Sequence, residues 1–321
     1  CNLLIDGNYI LSKMVFTLHK NNLLFGALEE SLENSISNYR KWYPFRNVYL
    51  ISDSREKSWR KELRKSYKAT RKKDSDIDWK FVYDTYDNFK KNIKNAKVLE
   101  YPHIEGDDWI SFVSSKSNKE GLSNIIVSND HDIKQLLTYN LDPLCINIMT
   151  NEMYSNQKIF LPKNYQLFLD KLNSLPNDDI FELNDNVEFI DLIKKFKKSY
   201  EINEVDSIKS LVTKLISGDN SDNIDSIWLQ SGNNGKKRGI GKAGAESLYN
   251  KYIEEFGEVD KNDKDLYENI ADIVCEKKKL SKTNITKITS NIESNSKLID
   301  LELNNLPYDI IEKMNKIYDN L

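Results

Sequence analysis

Short apolar runs that end in a carboxylate are the feature that most restricts the fold of this chain. Residues 2–6 and 48–53 each predict a buried strand with an aspartate at its end, and residues 124–128 form a similar run just before two more aspartates. Residues 97–100 predict a further strand, and segments with helical spacing lie between these runs. This alternation predicts an α/β fold with a largely parallel sheet, whose strands end at one shared edge.

The predicted domain division follows the point where this alternation stops. We expect residues 1–204 to form the α/β domain, with a basic segment at about 54–80 and a polar insertion at about 158–204. Mixed-charge helical patterns in residues 205–321 predict a second, helical domain. A β-hairpin is expected around residues 145–154.

The composition favours a soluble, cytoplasmic, monomeric protein. Hydrophobic residues make up 39% of the 321 residues, enough for a packed core. No apolar run approaches the roughly 18–20 residues that span a bilayer, and no signal peptide is visible at the start. Three widely spaced cysteines indicate a reducing compartment. We therefore expect no association with a membrane.

Carboxylates near the predicted strand ends and helix starts are candidates for one common site. They are Asp6, Asp53, Glu105, Asp107, Asp108, Asp130, Asp132, Asp219 and Asp222. So many acids at one edge would repel one another and raise each other's pKa, which hard cations relieve. The pattern favours magnesium, with Mn²⁺ as an expected substitute, and two such ions can promote in-line phosphoryl displacement. The alternative for a single acid is a helix cap, which stays open for Asp107, Asp132 and Asp222.

A strongly basic segment follows the second predicted strand. Between Arg55 and Lys73, ten Lys or Arg accompany only two Glu, and Trp59 and Tyr67 are interleaved with them. Lysine and arginine bind phosphates, and aromatic rings stack on bases. We interpret the segment as a nucleic-acid arm. A solvated helix face is the alternative.

A glycine-rich turn in the second predicted domain is a further candidate for phosphate binding. Gly239-Ile240-Gly241 leads into a helix, and such a turn lets backbone N–H groups approach a phosphate closely. Lys237, Arg238 and Lys242 add positive charge. A flexible loop without a function is the alternative.

These motifs occur in a distinctive order along the chain. They are Leu4-Ile5-Asp6, Asp53 followed by Trp59-Arg60, Tyr67-Lys68-x-x-Arg71, Glu105-x-Asp107-Asp108, Ser128-x-Asp130-x-Asp132 and Gly218-Asp219-x-x-Asp222-Asn223. In this combination the chain resembles the flap endonuclease and 5′-3′ exonuclease superfamily, most closely its T-even phage ribonuclease H members. The insertion looks longer than the phage counterpart, and Gly106 stands where the family usually has alanine.

The resemblance implies a PIN-like nuclease domain and a helix–turn–helix element around Gly239 and Gly241 that grips duplex DNA. It implies a metal-dependent 5′-3′ nuclease that removes RNA primers and 5′-ended DNA from duplexes and flaps in replication. One metal would lie near Asp6, Asp53, Glu105, Asp107 and Asp108, and the second near Asp130, Asp132, Asp219 and Asp222.

The resemblance also implies roles for the basic residues. Lys68 and Arg71 match residues that contact the scissile phosphate. We expect nucleic-acid contacts from Arg60, Tyr67 and Lys72 in the arm, and from Lys237, Arg238, Gly239, Gly241 and Lys242 near the turn. Duplex or flapped DNA and RNA–DNA hybrid are the expected substrates. A sliding clamp and a single-strand-binding protein are implied partners.

Two other functions remain open from the residues alone. A PIN-type nuclease of single-stranded RNA is disfavoured because it has no need of a duplex-binding turn. A catalytically inactive module that binds replication forks is disfavoured by the full set of acids, and it would show no tight uptake of Mg²⁺ or Mn²⁺.

Overall fold

Two compact units make up the protein in the computed structural model, which describes residues 1–41, 45–71, 74–122, 124–137, 145–149, 152–155, 201–231 and 237–321. The first unit comprises residues 1–57, 74–205 and 309–321, and the second comprises residues 58–73 and 206–308. Most of the predicted insertion lies outside the described residues.

A mostly parallel sheet forms the centre of the first unit. Its strands are β1 (Asn2–Asp6), β2 (Asn47–Ile51), β3 (Lys97–Leu99), β4 (Asn124–Val127), β5 (Cys145–Met149), β6 (Glu152–Ser155) and β7 (Glu201–Glu204). They are arranged in the order β3-β2-β1-β4-β5-β6-β7, and only β5 and β6 pair antiparallel. The predicted α/β fold and the hairpin are confirmed. Residues 201–204, at the end of the predicted insertion, pair with β6 as a strand.

Helices cover the sheet of the first unit and make up most of the second unit. In chain order they are α1 (Gly7–Lys20), α2 (Leu24–Arg40), α3 (Arg60–Leu63), α4 (Trp79–Asn92), α5 (Gly106–Lys119), α6 (Ser207–Ser217), α7 (Lys242–Phe256), α8 (Leu266–Lys278), α9 (Ile285–Ile299) and α10 (Tyr308–Tyr318). Within the described ranges, no helix is long and apolar enough to cross a bilayer.

The core of the first unit explains its continuous apolar strands. Leu3 and Ile5 of β1 pack in one cluster with residues of α1, α2 and α4. Leu4, on the opposite face, is also fully buried, and α5 contacts β1, β2 and β4. A parallel sheet covered on both faces needs apolar side chains on both. The strand ends are therefore where its polar residues collect.

The compact units differ from the predicted domain division in two segments. The basic segment 58–73 belongs to the second unit, because Tyr67 is buried in that unit's apolar core. Residues 309–321 belong to the first unit, where Tyr318 stacks on Tyr49 and meets Phe112 edge-on. Both segments are placed by contacts with residues far away in the chain. Such contacts leave no signal in the local sequence, so the sequence could not predict them.

The second unit is built on helices α6 to α9, as predicted, and contains an additional short hairpin. Its core includes Leu215, Ile270, Ile288 and Ile292. Strands β8 (Leu229–Ser231) and β9 (Lys237–Gly239) pair antiparallel just before α7.

Gly218 ends α6 in a backbone conformation that only glycine adopts without strain. Its φ is 70°, and a Cβ there would overlap the backbone of Ile224 and Asp225. We expect Gly218→Ala to lower the free energy of unfolding by roughly 2–4 kcal/mol, measured by urea denaturation. Gly26→Ala is the matched control, because a Cβ on this helical glycine meets nothing within 4 Å. It should stabilise α2 by about 0.5–1 kcal/mol, and equal effects at the two positions would contradict the argument.

Candidate functional site

The predicted carboxylates of the first unit collect at the carboxyl ends of β1, β2 and β4. Asp6 is the last residue of β1, and Asp53 follows β2 by two residues. Asp130 and Asp132 come directly after β4. Since β1 lies between β2 and β4 and pairs parallel with both, these acids lie at one edge of the sheet.

Asp6 is held by hydrogen bonds on both of its carboxylate oxygens. Oδ1 accepts the N–H of Tyr9 at 2.9 Å, which makes Asp6 the N-cap of α1. Oδ2 accepts the hydroxyl of Ser128 at 2.7 Å. The same hydroxyl oxygen accepts the N–H of Asp130 at 3.0 Å. Ser128 thus links the end of β1 to the acids that follow β4.

Burial raises the pKa of Asp6 to about 6 from the usual 3.8. The hydrogen bonds from Ser128 and Tyr9 oppose this rise, and the negative charges of Asp53 and Asp130 add to it. Asp6 is therefore a carboxylate whose ionisation is costly and whose surroundings are acidic. A bound cation would relieve both effects.

Gly7 allows the surrounding residues to approach Asp6 closely. A Cβ on Gly7 would overlap the hydroxyl groups of Tyr86 and Ser52 and the carbonyl of Ile51. Those two hydroxyl groups are hydrogen-bonded to each other at 2.7 Å. A glycine directly after Asp6 is thus required for α1 to begin against β2 and α4.

The start of α5 brings further acids to the same sheet edge. Asp53 Oδ1 accepts the N–H of Gly106 at 2.6 Å, and a Cβ on Gly106 would lie 3.2 Å from that oxygen. Glu105 and Asp108 are buried and form a reciprocal capping box. Asp107 is half-buried on the first turn. Capping therefore falls on Glu105 and Asp108, whereas the sequence left this alternative open for Asp107.

Backbone N–H groups at a helix start also orient the acids that follow β4. Asp130 caps a 3₁₀ helix (His131–Leu136) and accepts the N–H of Asp132 at 2.8 Å. In the part of the chain that the structure describes, no three Asp, Glu, His or Cys side chains converge closely enough to ligate one ion directly.

The donor set nevertheless fits a hard cation. The side chains at this edge offer carboxylate and hydroxyl oxygens, and the pKa of Asp6 is raised. Magnesium retains several of its waters and is commonly bound through only one or two carboxylates. Such an ion does not require three direct ligands.

The Gly-Asp-x-x-Asp motif forms a closed loop in the second unit. Asp219 and Ile224 exchange two backbone hydrogen bonds, of 2.9 and 2.8 Å. Asp219 pairs with Lys214 at 2.7 Å and accepts both the N–H and the hydroxyl of Ser221. Partial burial opposes these contacts, but together they lower the pKa of Asp219 to about 2. Asp222 is buried and forms an ion pair with Arg71 of the basic segment.

The basic segment is attached to this loop by its backbone as well. The N–H of Lys68 donates to the carbonyl of Asp222 at 3.0 Å. Asn223 Nδ2 donates to the carbonyl of Ser66 at 3.1 Å, and Arg64 pairs with Asp225 at 2.9 Å. The motif loop and the arm are therefore one structure within the second unit.

Hydrogen bonds of the Ser226 hydroxyl fix the Gly-Ile-Gly turn. The hydroxyl of Ser226 donates to the carbonyl of Ile216 at 3.0 Å and accepts the N–H of Ile240 at 2.9 Å. A Cβ on Gly239 would overlap Ser226. Gly241 is the N-cap of α7 and supplies no side-chain hydrogen bond to it.

Comparison with known proteins decides the family. Residues 2–164, about half of the chain, match the model of the 5′-3′ exonuclease N-terminal resolvase-like domain. The chain belongs to the 5′-3′ exonuclease family. The superfamily predicted from the sequence is thereby confirmed, while the closer likeness to T-even phage ribonuclease H stays a prediction.

Similar proteins from bacteria are also 5′-3′ exonucleases. A 5′-3′ exonuclease of Buchnera aphidicola from Acyrthosiphon pisum is 28% identical over 224 residues, which cover 67% of this chain and 73% of the relative. A 5′-3′ exonuclease of Mycoplasmopsis pulmonis is 25% identical over 253 residues, covering 78% of this chain and 66% of the relative.

Solved structures confirm the fold of the family member. The T5 5′-exonuclease with bound zinc aligns with a TM-score of 0.60 at 16% identity, over 98% of this chain and 97% of that one. A bacteriophage T5 flap endonuclease, described as a pseudo-enzyme–product complex with DNA and metal ions, aligns with a TM-score of 0.58 at 15% identity over the same shares.

Two of the residues predicted to contact nucleic acid are buried. Arg60 is 1% exposed, and its Nε donates to the carbonyl of Leu298 at 3.0 Å, near the end of α9. Tyr67 is 3% exposed and packs in the core of the second unit. Both side chains anchor the arm within the second unit, and their contact with nucleic acid stays a prediction.

The other residues predicted to contact nucleic acid either lie on the surface or have side chains outside the described residues. Arg238, Gly239, Gly241 and Lys242 are exposed. For Lys237 the structure describes only the backbone in β9, and Lys72 lies outside the described residues.

Sequence reasoning missed the polar residues that orient the acids. Ser128 joins Asp6 to Asp130, and Asn8 Oδ1 accepts the N–H of Asp53 at 3.3 Å. Asn223 contacts the arm. Ser128 had a local signal, since a serine two residues before an aspartate at a strand end favours such a turn.

Proposed function

We propose that this chain is a magnesium-dependent 5′-3′ nuclease that hydrolyses phosphodiesters near the 5′ ends of strands in duplex or flapped substrates. The observation that carries the proposal is Asp6, hydrogen-bonded to Ser128 and raised in pKa in an acidic setting with Asp53 and Asp130. Membership of the 5′-3′ exonuclease family supports it.

The residues proposed to hold metal are the acids at the sheet edge. In the first unit they are Asp6, Asp53, Glu105, Asp107, Asp108, Asp130 and Asp132. Asp219 and Asp222 are proposed as further ligands in the second unit, where each is now paired with a cationic side chain. When bound, two divalent ions supply Lewis-acid stabilisation of phosphate oxygens and lower the pKa of an attacking water. Mn²⁺ is expected to substitute for Mg²⁺.

The basic residues are proposed to bind and stabilise the substrate. Lys68 and Arg71 would stabilise negative charge that develops on the scissile phosphate. The exposed Arg238 and Lys242, with Lys237 and the N–H groups at the start of α7, would bind the backbone of a duplex. Such contacts do not read sequence, so the substrate is selected by its form.

The finer substrate choice rests on the family resemblance. RNA–DNA hybrid, in the form of primers removed during replication, is proposed beside 5′-ended DNA. A sliding clamp and a single-strand-binding protein are proposed as partners.

Cleavage of matched 5′-labelled flap, nicked and RNA-primed duplexes tests the proposed function. We expect Mg²⁺-dependent release of short 5′ products, and loss of cleavage by about 10³-fold or more in Asp132→Asn. Fluorescence anisotropy in Ca²⁺ should show that this variant still binds the flap substrate. Near-normal turnover by Asp132→Asn would contradict the metal assignment.

Two further measurements separate the other functions. Single-stranded RNA of the same sequence should be a poor substrate, and its preferential cleavage would favour a PIN-type ribonuclease. Calorimetric titration should detect uptake of Mn²⁺ by the wild type. Binding of flaps without metal uptake or cleavage would identify an inactive fork-binding module.

A further inference from the structure

The turn that contains Lys68 has a backbone conformation that requires stabilising contacts from neighbouring residues. Lys68 has a φ of 53°, in the left-handed region that a residue with a Cβ rarely adopts. Conformations of this kind persist when surrounding contacts fix them, and they are frequent at functional sites. Lys68 is half-buried, and its Nζ lies 5.0 Å from the centre of the Tyr67 ring.

Contacts from the motif loop fix this turn on both sides. The N–H of Lys68 donates to the carbonyl of Asp222, and Asn223 Nδ2 donates to the carbonyl of Ser66 at 3.1 Å. The carbonyl of Ser66 also accepts the N–H of Ala69 at 3.1 Å, which closes the turn. The side chain of Asn223 therefore binds the carbonyl on which the turn depends.

The conformation of Asn223 suits this task. Its own φ is 63°, a region in which asparagine is more frequent than most other residues with a side chain. Because its backbone turns in this way, the residue presents its side-chain amide to Ser66 while the preceding carbonyl of Asp222 accepts from Lys68. The position thus needs tolerance of a positive φ together with an amide donor.

We propose that Asn223 is a positioning residue for Lys68. It holds the 66–69 turn so that the Lys68 ammonium group meets the scissile phosphate, and it makes no contact with substrate itself. The inference rests on the role proposed for Lys68 in cleavage. Since Tyr67 and the Arg64–Asp225 pair anchor the arm independently, loss of Asn223 should loosen the turn without detaching the arm.

Three substitutions separate the two properties of Asn223. Asn223→Gly retains a positive φ and removes the amide donor. Asn223→Asp retains the shape and replaces the donor with an acceptor that repels the Ser66 carbonyl. Asn223→Ala removes the donor and disfavours the backbone conformation. Asn22→Gly is the matched control, because Asn22 has a φ of 56° in the turn between α1 and α2.

Single-turnover cleavage of the flap substrate is the first readout. Asn223→Gly should slow the cleavage step by roughly 10- to 100-fold, the cost of a small misplacement of a reacting group, with an unchanged Kd for the substrate. In a Lys68→Ala background the same substitution should have little further effect. Equal slowing in both backgrounds, or an effect confined to Kd, would overturn the proposal.

Hydrogen exchange supplies a readout that does not depend on activity. In Asn223→Gly, protection of the Lys68 amide should fall about tenfold, the effect of losing roughly one hydrogen bond, while Asn22→Gly should leave it unchanged. Unchanged protection in Asn223→Gly would refute the positioning role. If the wild type cleaves none of the duplex substrates, the proposed function fails, and exchange still decides whether Asn223 holds the turn.

Discussion

Replacing Asp6 with asparagine is expected to abolish cleavage and to stabilise the metal-free protein. Cleavage should fall by about 10³-fold or more, because the substitution removes a carboxylate proposed to hold metal. Stability should rise because burial makes an ionised Asp6 costly, and the negative charges of Asp53 and Asp130 add to that cost. Asparagine keeps an oxygen for Tyr9, and the Ser128 hydroxyl can turn to pair with either end of the amide.

The stabilisation should depend on pH in a defined direction. The pKa of Asp6 is raised to about 6 in the folded protein from its ordinary 3.8. Well below pH 3.8 the carboxyl is protonated in both states, so wild type and Asp6→Asn should be equally stable there. As pH rises from 4 to 6, the unfolded state loses its proton first and the wild type loses stability relative to the variant. Above pH 6 the difference should remain constant.

Thermal unfolding in EDTA between pH 4 and 8 measures this difference. Since Asp6 is half-buried, we expect a stabilisation on the order of 1 kcal/mol, equivalent to about 2–4 °C in Tm for a unit of this size. Excess Mg²⁺ should stabilise the wild type more than the variant. The exposed Asp319 provides the control, since Asp319→Asn should alter neither cleavage nor stability. A variant less stable than the wild type at pH 8 would argue against repulsion at this site.

Replacing Lys68 with alanine should have the second-largest effect. We expect the cleavage step to slow by about 10²–10³-fold, the usual cost of losing one group that stabilises charge in the transition state. Substrate affinity should change little, because many other cationic residues remain in the arm. Single-turnover kinetics with a saturating flap substrate measures the two quantities separately.

Lys65 supplies the comparison for Lys68 within the same arm. It is exposed and lies three residues earlier. If it contacts a phosphate at all, Lys65→Ala should weaken binding and reduce the salt dependence of affinity by about one charge, with the cleavage rate retained. A pure loss of affinity in Lys68→Ala, matching that of Lys65→Ala, would show that Lys68 has no special role in cleavage.

The sheet and its acidic edge were predictable because local patterns encode them. Asp6 and Asp53 end apolar runs, and parallel strands necessarily bring their carboxyl ends together. The acids at the start of α5 likewise pointed to a helix start, although the sequence left capping open for Asp107 and the structure places it on Glu105 and Asp108. Such features depend on residues close to one another in the chain.

The sequence was least informative where a partner distant in the chain fixes the position of a residue. Arg60 stands in a run of cations that predicts an exposed face, but the Leu298 carbonyl that binds it is 238 residues away. Tyr67 is interleaved with lysines, yet its ring packs on helices of the second unit. Helix α1 was not predicted. Its N-cap is Asp6, so this carboxylate both caps a helix and lies near the other acids of the sheet edge.

If Asp222 ligates a metal ion and Arg71 binds a phosphate, as proposed, their ion pair would make anion and cation uptake interdependent in the second unit. Each group now neutralises the other. A phosphate that draws Arg71 away leaves the buried Asp222 without its counter-charge, which increases the affinity of that carboxylate for a metal ion. By reciprocity, an ion on Asp222 releases Arg71 and increases the affinity of the arm for phosphate by the same factor. Substrate and metal would then promote each other's binding.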